Sequence, residues 1–301
     1  MKQPLVIIGP TASGKSDLAM AYASAAQAEI VAVDAMQVYR RMDIGTAKPS
    51  AADQQVVPHH CIDLVEPSAA YTVADFADAA DSAMAKIRAR GRRPLLVAGT
   101  GLYLRAVTDP MEIPGQWPEV RSAIEARADA EGSEPLHAQL AHLDPLAASR
   151  MEPSNERRIV RALEVTIGSG RPFSSFGPGV ASFPATQFVQ IGLRWPRAAL
   201  RVRIAERVHR MIAAGLVAEV TALLDEAEPM SRTARQALGY KELIDHLQGR
   251  CGLDEAVERI IVRTRQFAAR QERWFRRDPR IRWVTIESNP VAEALPVLRS
   301  L

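Results

Sequence analysis

Residues Gly9-Pro10-Thr11-Ala12-Ser13-Gly14-Lys15-Ser16 satisfy the pattern G-x-x-x-x-G-K-[ST] at every fixed position. In such a loop the glycines permit a tight turn that aims backbone N–H groups, and the N-terminus of the next helix, at phosphate oxygens. Lys15 adds a compact positive charge, and the Ser16 hydroxyl suits Mg²⁺. The flanks agree with this chemistry. The apolar run 5–8 predicts a strand before the loop, and the pattern after it predicts a helix over residues 15–26.

A phosphate loop does not say which phosphate compound is bound. A nucleotide hydrolase normally adds an apolar strand ending in an aspartate that serves the metal. Here the run 95–98 ends in Gly99-Thr100-Gly101, which argues against a motor or ATPase. The acid left for the site is Asp34, which closes the apolar run 30–33 and precedes Ala35, Met36 and Gln37. Across the same edge from the loop, a carboxylate could be a general base for a nucleophile approaching a bound pyrophosphate. Equally, it could cap a helix or close a turn.

Positioning these groups falls to short, continuous apolar runs separated by helical stretches, the pattern of buried parallel strands. The expected fold is α/β: a P-loop NTPase-like parallel sheet flanked by helices, with Asp34 and Thr100 at strand C-termini, where such sheets bind ligands. Residues 113–184 show no strand-like run and carry Arg121, Arg127, Arg150, Arg157, Arg158 and Arg161, so a helical insertion is expected there. Residues 171–179 are too rich in turn formers to be regular. A return strand is predicted over 188–193, with amphipathic helices over 198–277. The expected division is a first part of the core in 1–112, the insertion in 113–184, and the completed core with basic helices in 185–301.

The 301 residues are 47% hydrophobic and 24% charged, the proportions of an ordinary globular protein rather than a disordered one. Net charge is only +3, but residues 259–282 hold nine arginines against Glu272 and Asp278. Such a block either seeks a polyanion or forms a solvated helix face. Arg157, Arg158 and Arg161 share one helical face, suited to RNA or to ion pairs with Glu156 and Glu164. His59 and His60 are adjacent, so on an extended segment they diverge, and with no third ligand evident they are expected to be structural. Trp274 and Phe275 could stack on bases, but docking of the last long helix is preferred. Cys61 and Cys251 suggest neither a disulfide framework nor a zinc site. The N-terminal apolar stretch is too short for a signal peptide and no run reaches membrane-span length, so a cytoplasmic protein without membrane contact is expected, as a monomer.

Several stretches together resemble the bacterial transfer-RNA dimethylallyltransferases, or isopentenylpyrophosphate transferases. They are residues 9–16; Asp34 with Met36-Gln37-Val38-Tyr39; Met42-Asp43-Ile44-Gly45-Thr46-Ala47-Lys48-Pro49; Pro58-His59-His60; Gly99-Thr100-Gly101-Leu102-Tyr103; Arg158 with Arg161-Ala162-Leu163-Glu164-Val165; and residues 236–243. The resemblance implies that dimethylallyl diphosphate lies on residues 9–16 with Mg²⁺ as cofactor. The acceptor it implies is the exocyclic amine of the adenosine 3′ of the tRNA anticodon, turned out of its stack. It gives Asp34 the amine proton and Thr100 the oxygen bridging carbon and phosphorus, while the loop chemistry itself aims the Lys15 charge at the leaving group. Positions implied to touch tRNA are Asp34, Ala35, Met36, Gln37, Thr100, Arg121, Arg157, Arg158, Ile159, Val160, Arg161 and the stretch from Gln236 to Lys241. Ala35 stands where the family usually has serine, and Ala98 replaces the first glycine of Gly-Gly-Thr. The alternatives are prenyl transfer to a free adenine nucleotide and a small-molecule P-loop kinase.

Overall fold

Strand β1 (Leu5–Ile8) is buried along its whole length, because the sheet is covered on both faces. Val6 and Ile8 enter one core cluster while Leu5 and Ile7 enter another, as the two-residue period of a strand requires. The same division separates Val31 and Val33 from Ile30 in β2 (Ala28–Val33), and Leu96 and Ala98 from Leu95 in β4 (Arg93–Ala98). These are the continuous apolar runs expected of doubly covered parallel strands. The computed structural model describes residues 3–177 and 179–301; Met1, Lys2 and Pro178, the last within the 171–179 loop, lie outside the described residues.

With β3 (His59–His60), β5 (Val189–Arg194) and β6 (Arg282–Thr285), the strands form one sheet in the order β3-β2-β4-β1-β5-β6, parallel throughout. Register aligns Val33 with Ala98, Ala98 with Ile8, and Ile8 with Gly192. Asp34, Gly99 and Gly9 therefore leave the sheet side by side at its C-terminal edge. The return strand begins one residue later than the apolar pattern suggests. β3 and β6 are edge strands that carry histidines, Arg282 and Trp283 rather than an apolar run, so periodicity does not reveal them.

Helix Lys15–Ala26 follows the loop directly. Capping boxes start Ala51–Val56 at Ser50 and Val73–Ala89 at Thr72, each with an aspartate returning a bond to the cap N–H. After β5 come Arg197–Ala213, Leu216–Leu224, Tyr240–Leu247 and the long helix Leu253–Phe275. Among the described residues no helix is long and apolar enough to cross a membrane.

The chain divides into two compact units, residues 1–108 with 185–301, and residues 109–184. The second is built from helices Pro118–Glu131, Ser133–Leu143, Pro145–Ala148 and Glu156–Ser169 around Ile124, Leu136, Leu140, Ile159, Val160 and Leu163. Buried Glu164 is its polar anchor: it accepts the N–H of Trp117 at 3.0 Å and faces Arg121 at 3.3 Å and Arg161 at 3.0 Å.

Candidate active site

Residues 9–16 form a turn whose shape is held from inside and outside. Gly9 has no room for a side chain, since a Cβ there would lie 2.7 Å from Ser13 Oγ. Gly14 takes φ +82° as the N-cap of helix Lys15–Ala26, a conformation that favours glycine. The Ser13 N–H donates to Pro10 O at 3.2 Å, and Lys15 Nζ to the same oxygen at 3.0 Å. From outside, Trp195 Nε1 donates to Ser13 O at 3.0 Å and Arg203 Nε to Ala12 O at 2.9 Å. Ser13 Oγ is buried without a hydrogen-bond partner, so a polar atom in the loop is left for a ligand to satisfy.

Asp34 divides its carboxylate between two tasks. Oδ1 accepts the N–H of Met36 at 2.8 Å and of Gln37 at 3.4 Å, closing a local turn. Oδ2 lies near the sheet edge: a Cβ on Gly99 would stand 3.8 Å from it and 3.9 Å from Lys15 Nζ. The base candidate and the loop cation thus converge on one point. Thr100 Oγ1 accepts the N–H of Ala35 at 3.3 Å, which leaves the hydroxyl hydrogen available to another acceptor.

Cations gather on the other side of Lys15. Burial first, and then the Arg207 guanidinium, push the Lys15 ammonium down to about 8, while Asp34 opposes the shift. Arg207 is itself lowered, chiefly by burial, and has no ion-pair partner among the described residues. With Arg203 and Arg210, also on helix Arg197–Ala213, it lines a cavity of about 780 Å³ shared with residues 12–16. Lys15 and Arg207 repel each other there, and Asp34 offsets that repulsion for both, as a bound anion would do further. Ile44, Ala47 and Met211 give this cavity an apolar side.

That apolar side depends on Glu219. Its carboxylate accepts the N–H groups of Asp43 (3.0 Å), Ile44 (2.7 Å) and Gly45 (3.2 Å), together with the Tyr240 hydroxyl at 2.6 Å. A Cβ at Gly45 would be 2.4 Å from the Tyr240 ring, so the segment can pass only as glycine. Gln37 Nε2 ties back to Thr46 O at 3.1 Å, and buried Lys48 reaches Tyr39 O at 2.7 Å and both Asp43 and Asp63 at 2.6 Å.

The other anticipated residues are distributed as follows. Met36 and Gln37 are half-buried beside Asp34, and Gln236 and Lys241 are exposed. Arg157 and Arg158 are exposed on helix Glu156–Ser169. Ile159 and Val160 correct the expectation of RNA contact: their side chains are 0% and 2% exposed, because on this helix their positions face the core of the second unit. Arg121 and Arg161 are committed to Glu164. His60 Nε2 bonds Glu29 at 2.7 Å and His59 Nδ1 bonds Val57 O at 2.8 Å, a structural use of both rings. Phe275 is buried, and the Trp274 ring packs on Gly101, where a Cβ would approach within 2.1 Å.

Sequence reasoning did not single out Arg203, Arg207, Glu219 or Gln271. The i, i+4, i+7 spacing of Arg203, Arg207 and Arg210 puts three cations on one helical face and was the one legible signal. Gln271 accepts the Thr11 N–H through Oε1 at 2.9 Å and donates from Nε2 to Gly99 O at 2.7 Å. One of the loop amides expected to cradle phosphate is therefore already taken.

Comparison with known proteins agrees with this arrangement. Residues 37–278 match the family model described as IPP transferase. The chain is 47% identical over 288 residues to tRNA dimethylallyltransferase 1 of Trichlorobacter lovleyi, covering 95% of this chain and 94% of the other. It is 48% identical over 287 residues to tRNA dimethylallyltransferase of Geobacter metallireducens, covering 94% and 93%. Among solved structures, the full-length tRNA isopentenylpyrophosphate transferase of Bacillus halodurans is similar with a TM-score of 0.71 and 36% identity, over 100% of this chain and 95% of that one. With a parallel sheet whose first strand leads into residues 9–16 and with matches along nearly its whole length, the chain belongs to the IPP transferase family.

Proposed function

We propose that this protein transfers a dimethylallyl group from dimethylallyl diphosphate to the exocyclic amine of the adenosine 3′ of the anticodon in tRNA, releasing diphosphate. The observation that carries the proposal is the convergence of Asp34 Oδ2 and Lys15 Nζ beside Gly99. A base for the incoming amine and a cation for the departing diphosphate belong on opposite sides of one carbon. Relatives named tRNA dimethylallyltransferase along nearly the full chain support the same chemistry.

In this mechanism the amine nitrogen bonds to the allylic carbon as that carbon's bond to the diphosphate oxygen breaks. Asp34 Oδ2 accepts the amine proton while Oδ1 stays in its turn, so the acting oxygen is oriented by the other. The Thr100 hydroxyl donates to the bridging oxygen, and Lys15 with Arg207 stabilises the charge that develops on the leaving group. The five-carbon group lies along Ile44, Ala47 and Met211. Asp34, Ala35, Met36 and Gln37 meet the extruded base, and Arg157, Arg158, Gln236 and Lys241 meet tRNA.

The residues present suit Mg²⁺. This ion retains several waters and takes one or two protein oxygens plus phosphate oxygens. Ser16, exposed at the start of its helix, offers one such oxygen. Among the described residues no group of three or more His, Cys, Asp or Glu side chains could hold a metal, so an all-protein cage does not fit. When bound, the ion supplies charge neutralisation to the diphosphate.

The test is incubation of the protein and Mg²⁺ with radiolabelled dimethylallyl diphosphate and unmodified tRNA. Label is expected in the RNA, at the adenosine next to the anticodon. Label on free adenine nucleotides alone would overturn the acceptor assignment.

A further inference from the structure

Gln271 lies on the long helix Leu253–Phe275, yet its side chain joins two loops at the sheet edge that are far from it in sequence. Its carboxamide uses both ends: Oε1 accepts from Thr11 N at 2.9 Å and Nε2 donates to Gly99 O at 2.7 Å. The residue is 7% exposed and its bond to Gly99 O is buried, so water cannot readily replace that bond, while the bond to Thr11 is part-buried. Three residues further along the helix, Trp274 covers Gly101. The loop bearing Thr100 is thus held on both sides of that threonine by one helix.

We infer that Gln271 is a positioning residue for the transfer reaction, fixing the spacing between the diphosphate loop and the Gly99–Gly101 turn. The inference rests on the function proposed above. Residues 9–16 would hold the leaving group, whereas Asp34 and Thr100 act from neighbouring loops at the same edge. Backbone register sets where these loops leave the sheet, but beyond Ile8 and Ala98 no ladder bond connects them. The carboxamide spans that gap. An amide is the fitting group, because one partner is an N–H and the other a carbonyl, and a carboxylate or an ammonium could serve only one of them. Gln271 touches neither transferred atom, so its effect must pass through the geometry of Thr11 and Gly99.

Two variants separate positioning from simple support of the fold. Gln271→Met keeps length and volume but can neither accept from Thr11 nor donate to Gly99. Gln271→Glu retains the acceptor, and at low pH its protonated carboxyl also regains the donor. Transfer of label from dimethylallyl diphosphate to tRNA is measured for both and for the parent, along with melting temperature and tRNA affinity. For Gln271→Met, kcat is expected to fall about 10–100-fold, since a misplacement near 1 Å at a reacting centre costs on that scale. Its tRNA affinity should stay within about twofold of the parent's. For Gln271→Glu, activity relative to the parent should rise as pH falls through the titration of the introduced carboxyl, which Lys15 Nζ and Asp34 Oδ2, both close to the same point beside Gly99, face with opposite charges.

Parental kcat in a stably folded Gln271→Met would overturn the inference. If that variant does not fold, the pH profile decides: a constant ratio of Gln271→Glu to parent would overturn it, and a ratio that rises on acidification supports it. Failure of the proposed function itself has a different signature, since the parent would then label no tRNA at all.

Discussion

The Ala35 N–H donates to Thr100 Oγ1 at 3.3 Å, joining the turn after β2 to the turn after β4. The two strands are neighbours in the sheet, with Val33 level with Ala98, so the bond continues past the end of the ladder between them. Asp34 and Thr100 consequently cannot separate without losing it. The proposed proton acceptor and the proposed donor to the leaving oxygen are thereby tied together, though Ala35 and Thr100 are 65 positions apart in sequence.

Replacing Asp34 by Asn tests the base. An amide oxygen can still accept from Met36 and keep the turn, but it no longer takes a proton. Turnover is expected to fall about 10²–10⁴-fold with tRNA and diphosphate affinity little changed. Steady-state kinetics and a thermal melt check this together. A variant that melts with the parent and turns over at the parental rate would leave Asp34 as a turn residue only.

Diphosphate binding should depend on pH through Lys15. Its ammonium is pushed down to about 8 by burial and Arg207, and a bound anion favours the protonated form, raising that value. Below pH 8 the lysine is already charged and binding takes up no proton there. Above it, binding must protonate the lysine, so affinity falls as pH rises, by up to about tenfold per unit. Calorimetry in buffers of different ionisation enthalpy should show proton uptake near pH 9 and none from this group near pH 6.5. Lys15→Ala should bind diphosphate far more weakly and lose the uptake. Equal affinity at both pH values would refute the assignment.

Glu219 should matter for stability and for the cavity wall together. Glu219→Ala leaves three backbone N–H groups and the Tyr240 hydroxyl without their acceptor. The expected loss is about 2–4 kcal/mol, or roughly 3–8 °C in melting temperature. Gly45→Ala should perturb the same segment by collision with Tyr240. Calorimetric scans of the two variants check this, and a melting temperature within a degree of the parent for Glu219→Ala would contradict the role.

Binding of tRNA should weaken steeply with salt, because many counterions are released from the phosphates, while diphosphate binding changes less. Parallel titrations between 50 and 200 mM salt, about the range over which such effects are large, provide the comparison. Equal slopes for the two ligands would point to a small acceptor instead of RNA.

What the chain's own order of residues determined is the part governed by local pattern. Leu5–Ile8 and the runs before Asp34 and Gly99 read as doubly covered strands because both of their faces are apolar, and they became β1, β2 and β4. The candidate phosphate loop was legible because its glycines, lysine and serine lie close together in sequence, so their spacing survives without knowledge of the fold. The family resemblance rested on the same kind of contiguous stretch. Pairings across the sequence were not legible in that way. A glutamine on the last long helix gives no sign that its two ends will meet Thr11 and Gly99, nor a glutamate at 219 that it will hold residues 43–45. Helical periodicity could put Arg157 to Arg161 near one face, but only packing showed that Ile159 and Val160 turn inward and that Arg161 answers Glu164. The physical reason is that strand and helix patterns record burial along one element, whereas a buried hydrogen bond between distant residues leaves no period in the sequence and exists only once the sheet has set its strands side by side.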